Sequence, residues 1–371
     1  MSSPWKAVYL SMVLATRRLP LLMPGSVPSL GSWQDAVQRL EAAGLVPATL
    51  AREQAERAQI RSLLAVRLAG FQSLPQQEPA TPSALECGPD DMDTFFGVRR
   101  VPGSDAAVFL LGFLVTHLDA VDDAAWAGTS ISASDWEVLR RGVHVVFGAA
   151  APGSRVENTA RDRTPPPDID GHTAFARWKT GHRMFYVITQ GISCALIATA
   201  HAAARGNAIA TRAALEAATA LSRSAAVAIR FTADFPAEVY RTAVRPRMTP
   251  PHAPPGFSGL AGRDHRELVR VYRTVGPVIA TLDREQFAAS EFRAATDEMF
   301  AAHQAVCCEF VGQRDPSLLT RSQGQTAVHV LAGLIRNRRG LLRAEVPRQS
   351  TGGSLFEANP FRHPQNENIP R

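Results

Sequence analysis

Lysine is nearly missing from this chain. Of 40 basic residues among 371, only Lys6 and Lys179 are lysine. The arginines are scattered among 34 acidic residues rather than gathered on one element, which argues against a nucleic-acid partner. The net charge of +6 instead suits a small anionic ligand. Cysteine is scarce too. Four residues (Cys87, Cys194, Cys307 and Cys308) are too few for a disulfide scaffold. They form no CxxC or CxxCH pattern, and no HExxH accompanies them. No apolar run reaches the roughly 18 residues of a membrane span, and the candidate Val108–Val115 is much shorter. Arg17 and Arg18 interrupt the mildly apolar start, making it a poor secretion signal. The expectation is a cytoplasmic protein with reduced cysteines and no membrane or nucleic-acid partner.

Alternating strand patterns are also scarce, and helical periodicity dominates. The fold class expected is all-α, as a single helical domain. Helices are predicted over Ser32–Gly44 (capped by Ser32), Ala51–Phe71, Ser104–Trp126 and Trp136–Phe147, the last after a Ser134/Glu137 capping box. Further helices are predicted near Thr173–Arg205, Thr211–Tyr240, Asp264–Asp283, Phe287–Val311 and Thr326–Arg343. Two proline-rich breaks, Pro152–Gly171 and Pro246–Gly262, separate them. The chain divides into an N-terminal helical segment (1–103), a helical core (104–346) and a polar, extended tail (347–371).

Most of the ten histidines have ordinary core or surface readings. His303 and Cys307 differ, because a four-residue spacing stacks them on one helix face about 6 Å apart. Zinc would need two further ligands, and Cys308 points about 100° away. Heme is the alternative: a histidine binds iron axially while a cysteine one turn on reaches the porphyrin edge. The plain reading is a surface histidine above a buried cysteine.

Asp264-His265, followed 38 residues later by His303-Gln304-Ala305-Val306-Cys307, resembles the heme-dependent 3-methyl-L-tyrosine hydroxylases. These belong to the heme-dependent aromatic oxygenase group, similar in fold to tryptophan 2,3-dioxygenase. Other blocks look alike in order: Asp122–Trp126, Arg177-Trp178 with Gly181-His182 and Gln190-Gly191, then Arg245-Pro246 through Pro250-Pro251 to Ser258-Gly259. Phe310-Val311-Gly312 and Ser317-Leu318-Leu319 follow the cysteine. The resemblance covers roughly residues 105–340.

The resemblance implies heme ligated by His303 and His265 and linked through a thioether to Cys307; which histidine departs stays open, although a link at Cys307 makes His303 the more natural fixed ligand and His265 the one expected to leave. His182 would be a distal acid/base, or a hydrogen-bonded core histidine. Trp178 and Phe185 would line an aromatic pocket, or simply pack in the core. Ser322, Gln323 and Thr326 would hold the substrate carboxylate, or only cap a helix. Arg336, Arg338 and Arg339 would pair with heme propionates, or form a solvated helix end. The activity implied is hydroxylation of 3-methyl-L-tyrosine to its catechol, 3-hydroxy-5-methyl-L-tyrosine, in tetrahydroisoquinoline antibiotic biosynthesis. The oxidant would be hydrogen peroxide, or dioxygen with a reductant. L-tyrosine or an indole as substrate, and a non-catalytic bis-histidine heme carrier, stay open, as does a homodimer.

Overall fold

A computed structural model describes residues 19–26, 28, 30–42, 87–148, 165–259, 262–282, 287–312 and 326–343. In chain order the elements are β1 (Leu19–Leu22), α1 (Leu30–Ala42), α2 (Pro89–Phe96), β2 (Val98–Val101), α3 (Ala106–Ala127), α4 (Ala133–Val146), α5 (Gly171–Ala204) and α6 (Ala208–Thr232). Three tight turns of different pitch then follow one another: an α turn Ala237–Val239, a π turn Tyr240–Val244 and a 3-10 turn Arg245–Met248. Helices α7 (Arg263–Leu282), α8 (Phe287–Phe310) and α9 (Ala327–Arg343) complete the fold. It is all-α apart from one small sheet. The predicted helix over Ala51–Phe71 and the tail from 347 lie outside the described residues.

Helix starts follow side-chain chemistry, with some shifts from expectation. Ser32 does not cap α1, which already begins at Leu30. Ser132 rather than Ser134 caps α4, accepting a hydrogen bond from Asp135 N. Ser134 is spent on the Ser132 hydroxyl instead. Asp170 caps α5 through Thr173 N. α6 stops at Thr232, eight residues before the predicted end. Asp234 draws the chain away there, bonding Thr129 Oγ1 at 2.6 Å and Ser130 N at 3.0 Å.

The two strands were not expected. They pair in parallel, Leu19 with Val98 through Leu22 with Val101. At four residues each, they are too short to show alternation above the helical background. They and α2 share one core with the helices after residue 104, so residue 103 marks no break in packing. α5 is the one described helix long and apolar enough to cross a membrane. Since 61% of its most apolar window is buried inside the fold, it is its central core helix.

Two features hold α5 in place. Arg177, fully buried, donates to Asp123 on α3, and to Gly128 O and Asp234 O at 2.7 Å each. One guanidinium thus joins α5 to the ends of α3 and α6. Gly181 lets α6 approach closely, since a Cβ there would sit 2.7 Å from Thr232 Cα. Gly181→Ala is therefore expected to destabilise the protein by about 1–3 kcal/mol. Urea unfolding checks this, and an unchanged midpoint would show that α6 yields freely.

Candidate active site

Helices α5, α7, α8 and α9, the end of α6 and the segment 240–259 enclose a cavity of about 250 Å³. Each helix contributes one face. α5 supplies Trp178, His182, Phe185 and Tyr186; α7 supplies His265, Leu268, Val269 and Tyr272. α8 supplies Met299, Phe300, His303, Val306, Cys307 and Phe310. These are i, i+3, i+4, i+7 sets, the spacing of a single helix face. The wall is largely apolar and aromatic, with three imidazoles, one thiol, two guanidinium groups (Arg245 and Arg338) and no carboxylate among its described lining.

His182 stands between Phe96, whose ring stacks at 4.9 Å, and Trp178 at 4.2 Å. Its Nδ1 lies 2.8 Å from Trp178 O. A carbonyl can only accept, so Nδ1 carries the proton and Nε2 the lone pair. Burial is the main cause that lowers its pKa to about 4, so the ring is neutral at pH 7.

Nε2 of His265 lies 2.6 Å from Arg338 Nη2. Guanidinium has no acceptor, so His265 Nε2 accepts this bond and its proton sits on Nδ1. Burial, then Arg338 and His303, hold the pKa of His265 near about 3. Its neighbour Asp264 turns away from the ring. That carboxylate receives Arg100 at 2.9 and 2.7 Å and Gln190 at 2.8 Å. Arg100 also grips Asp93 at 2.9 and 2.6 Å. Arg100 and Gln190 both donate to Leu22 O, at 3.2 and 2.8 Å. The N-terminal strands and α2 therefore fix the start of the helix that carries His265.

His303 and Cys307 lie one turn apart on the cavity face of α8, as their spacing predicts. His303 has much accessible surface, but it faces the cavity and protein surrounds the ring. Desolvation followed by Arg338 brings its pKa to about 4. No described residue hydrogen-bonds its ring. Burial chiefly raises the Cys307 thiol to about 11, with Cys308 adding to the rise and Arg245 opposing it. The thiol is therefore protonated at neutral pH.

Trp178 and Phe185 both line the cavity. The arginines of α9 need correction. Arg336 is exposed, and Arg339 pairs with Asp297 at 2.6 Å. Arg338 is the one on the cavity wall, 8% exposed with its Nε unpartnered. Helical geometry explains the difference. Counting from the lining residue Leu334, Arg338 falls within about 40°, Arg336 at about 200° and Arg339 at about 140°. Ser322 and Gln323 lie outside the described residues. Thr326 accepts from His329 N at 3.3 Å, as a cap of α9. Reading residues singly missed Arg245, Tyr240, Tyr272 and Phe257, although the face periodicity of α7 carries Tyr272.

A family model described as SfmD 3-methyl-L-tyrosine peroxygenase matches residues 14–291, well over half of the chain. The chain belongs to this peroxygenase family. The match includes His182 and His265 and ends before His303 and Cys307. The 3-methyl-L-tyrosine peroxygenase of Streptomyces lavendulae is 32% identical over 276 residues, covering 72% of this chain and 73% of its own length. A crystal structure of reduced SfmD, soaked with sodium hydrosulfite, superposes with a TM-score of 0.59 at 26% identity. It covers 79% of this chain and 97% of that one. The likeness to SfmD therefore extends over most of both chains.

Among the described residues no three of His, Cys, Asp and Glu gather as a ready cage for a bare metal ion. The donor set does fit heme. It offers neutral imidazoles on α7 and α8, a thiol one turn from His303, apolar walls, and a buried guanidinium with an unpartnered Nε.

Burial of neutral histidines also sets a pH dependence. His117 on α3 is held at about 4 by desolvation, then by His144 and Arg140; His182 is also at about 4. Both are depressed below the unfolded value of roughly 6.5. Between those values the unfolded chain binds more protons, so stability falls as pH drops from about 6.5 toward 4. The urea midpoint of the apoprotein should be lower at pH 5 than at pH 7. An equal midpoint would count against neutral burial.

Proposed function

We propose that this chain hydroxylates a tyrosine-type ring on a bound heme, converting 3-methyl-L-tyrosine to 3-hydroxy-5-methyl-L-tyrosine with hydrogen peroxide. One aromatic C–H bond is replaced by C–OH, the peroxide O–O bond breaks, and the second oxygen leaves as water. The observation that carries the proposal is one apolar cavity holding three neutral histidines and Cys307 in a chain of a peroxygenase family. His303 and His265 would hold the iron, Cys307 would anchor the porphyrin edge, and Arg338 would pair with a propionate.

Heme, when bound, supplies the redox chemistry that activates the peroxide oxygen. The protein contributes proton handling and orientation. Neutral His182 takes the peroxide proton at Nε2 and returns it to the departing oxygen. The Nδ1–H bond to Trp178 O fixes the neutral tautomer, so Nε2 is the nitrogen that takes the proton and later gives it up. Trp178 and Phe185 provide flat apolar surface for the substrate ring, and the apolar wall limits competing water. His265 must lose its Arg338 bond before Nε2 can ligate. His303 has no described competitor, so His265 is the more readily released of the two.

The test incubates heme-loaded protein with hydrogen peroxide and, separately, 3-methyl-L-tyrosine, L-tyrosine and L-tryptophan. The expected product is a catechol one oxygen heavier than 3-methyl-L-tyrosine, with a lower yield from tyrosine. Turnover only with dioxygen and a reductant would change the oxidant. No product from any of the three, with heme bound, would leave a non-catalytic heme protein.

A further inference from the structure

Arg338 is buried on a cavity wall whose described lining holds no carboxylate. Among the described residues its hydrogen-bond partner is His265, whose Nε2 lies 2.6 Å from Arg338 Nη2. A guanidinium keeps its charge and can only donate, so Nε2 of His265 accepts and must be unprotonated.

The fold holds both ends of this contact. α9 lies so close to α7 that a Cβ at Gly276 would overlap Leu341 O. Arg339 ties α9 to Asp297 of α8 at 2.6 Å, and Arg293 of α8 reaches Leu342 O at 3.3 Å. At the other end, Arg100 and Gln190 grip Asp264 and fix the start of α7. A guanidinium on one anchored helix thus meets an imidazole on another.

The nitrogen engaged is the one that iron would need. With its proton on Nδ1, the ring has a single lone pair in its plane, at Nε2. That lone pair faces a guanidinium or a metal ion, not both. A contact made in only one of two states shifts the balance toward that state. We infer that Arg338 is a positioning residue that captures His265 in its released state and so keeps a position on the iron open for the oxidant. This rests on the function proposed above and adds to it the residue that sets how readily His265 leaves. Nε of Arg338 stays without a protein partner, so a heme propionate can be held at the same time, and the two roles are separated by experiment.

Cyanide reports the release, because it binds ferric heme at the position that His265 leaves. Its dissociation constant is measured on heme-loaded wild type, Arg338→Leu and Arg338→Lys, and on the same three with His265→Ala added. Heme content per chain is measured in each. Arg338→Leu should weaken cyanide binding roughly 10- to 100-fold, the worth of a hydrogen bond from a charged group. Arg338→Lys keeps a charged donor and should fall between; it keeps the test usable if the leucine variant folds poorly. With His265→Ala present, neither change at Arg338 should alter cyanide affinity, since no imidazole is left to capture. An equal effect without His265 would mean that Arg338 attracts the anion itself, and would overturn the inference. Tighter cyanide binding in Arg338→Leu would also overturn it, by making Arg338 a support for ligation. Unchanged cyanide affinity would overturn it with the proposed function intact, and lost heme alongside would assign Arg338 to a propionate alone. Wild type that takes up no heme would overturn both.

Discussion

His303→Ala is expected to purify with little bound heme, whereas Cys307→Ala should bind heme but release it on denaturation. The two residues share one face of α8, but their tasks differ. His303 offers a neutral imidazole with no hydrogen bond to a described residue, so no described donor competes for its lone pair. His265 already spends Nε2 on Arg338 at 2.6 Å and cannot fully replace it. Cys307 is a neutral thiol, with a pKa near about 11. Were heme bound, addition of its S–H across a vinyl group would form a C–S bond and place the hydrogen on the other vinyl carbon, with no leaving group. Both positions are helical, and alanine is the best helix former, so neither change should cost the fold. Denaturing chromatography following heme absorbance and intact mass reads the result directly. Wild type should run as chain plus heme and Cys307→Ala as bare chain with free heme. A Cys307→Ala chain still carrying heme would move the linkage to another residue. Full heme occupancy in His303→Ala would remove His303 from the ligand set.

The histidine and cysteine of α8 were legible in sequence because a four-residue spacing in a helix leaves little freedom. The helices of the core were legible for the same reason, as apolar periodicity is a local property. Their ends were less so, because caps compete. Ser132 and Ser134 are both good caps, and the choice depended on a Ser132–Ser134 hydroxyl contact that spacing alone does not show. The end of α6 depended on Asp234 meeting Thr129 and Ser130 more than a hundred residues away in sequence. Strands β1 and β2, separated by more than seventy residues, are likewise a tertiary outcome. At the site, Arg338 could have been chosen over Arg336 and Arg339 by helical arithmetic from Leu334. Arg245 could not, since a π turn followed by a 3-10 turn has no simple face pattern.

Arg100→Ala is expected to cost about 3–5 kcal/mol, the usual penalty for removing one partner from a buried ion pair. The Arg100 side chain is 7% exposed, and it bridges Asp93 at 10% and Asp264 at 1%. Removing it leaves two buried carboxylates sharing Arg263 and Gln190, which contact Asp93 at 3.2 Å and Asp264 at 2.8 Å. These remaining contacts keep the loss from being larger, but they do not supply the missing charge at Asp264. Arg100→Lys should recover only part, because an ammonium cannot present forked bonds to two carboxylates. Against a total stability of about 5–15 kcal/mol, such a loss would visibly populate unfolded chain at moderate urea. Equilibrium unfolding of wild type and both variants measures it, and a loss under about 1 kcal/mol for Arg100→Ala would mean that water replaces the guanidinium. The effect reaches the site because Asp264 is joined to His265 by one peptide bond. Loosening the start of α7 frees that imidazole from the position that Arg100, Gln190 and Leu22 O together impose. Residues far before the helical core thus help determine where His265 sits.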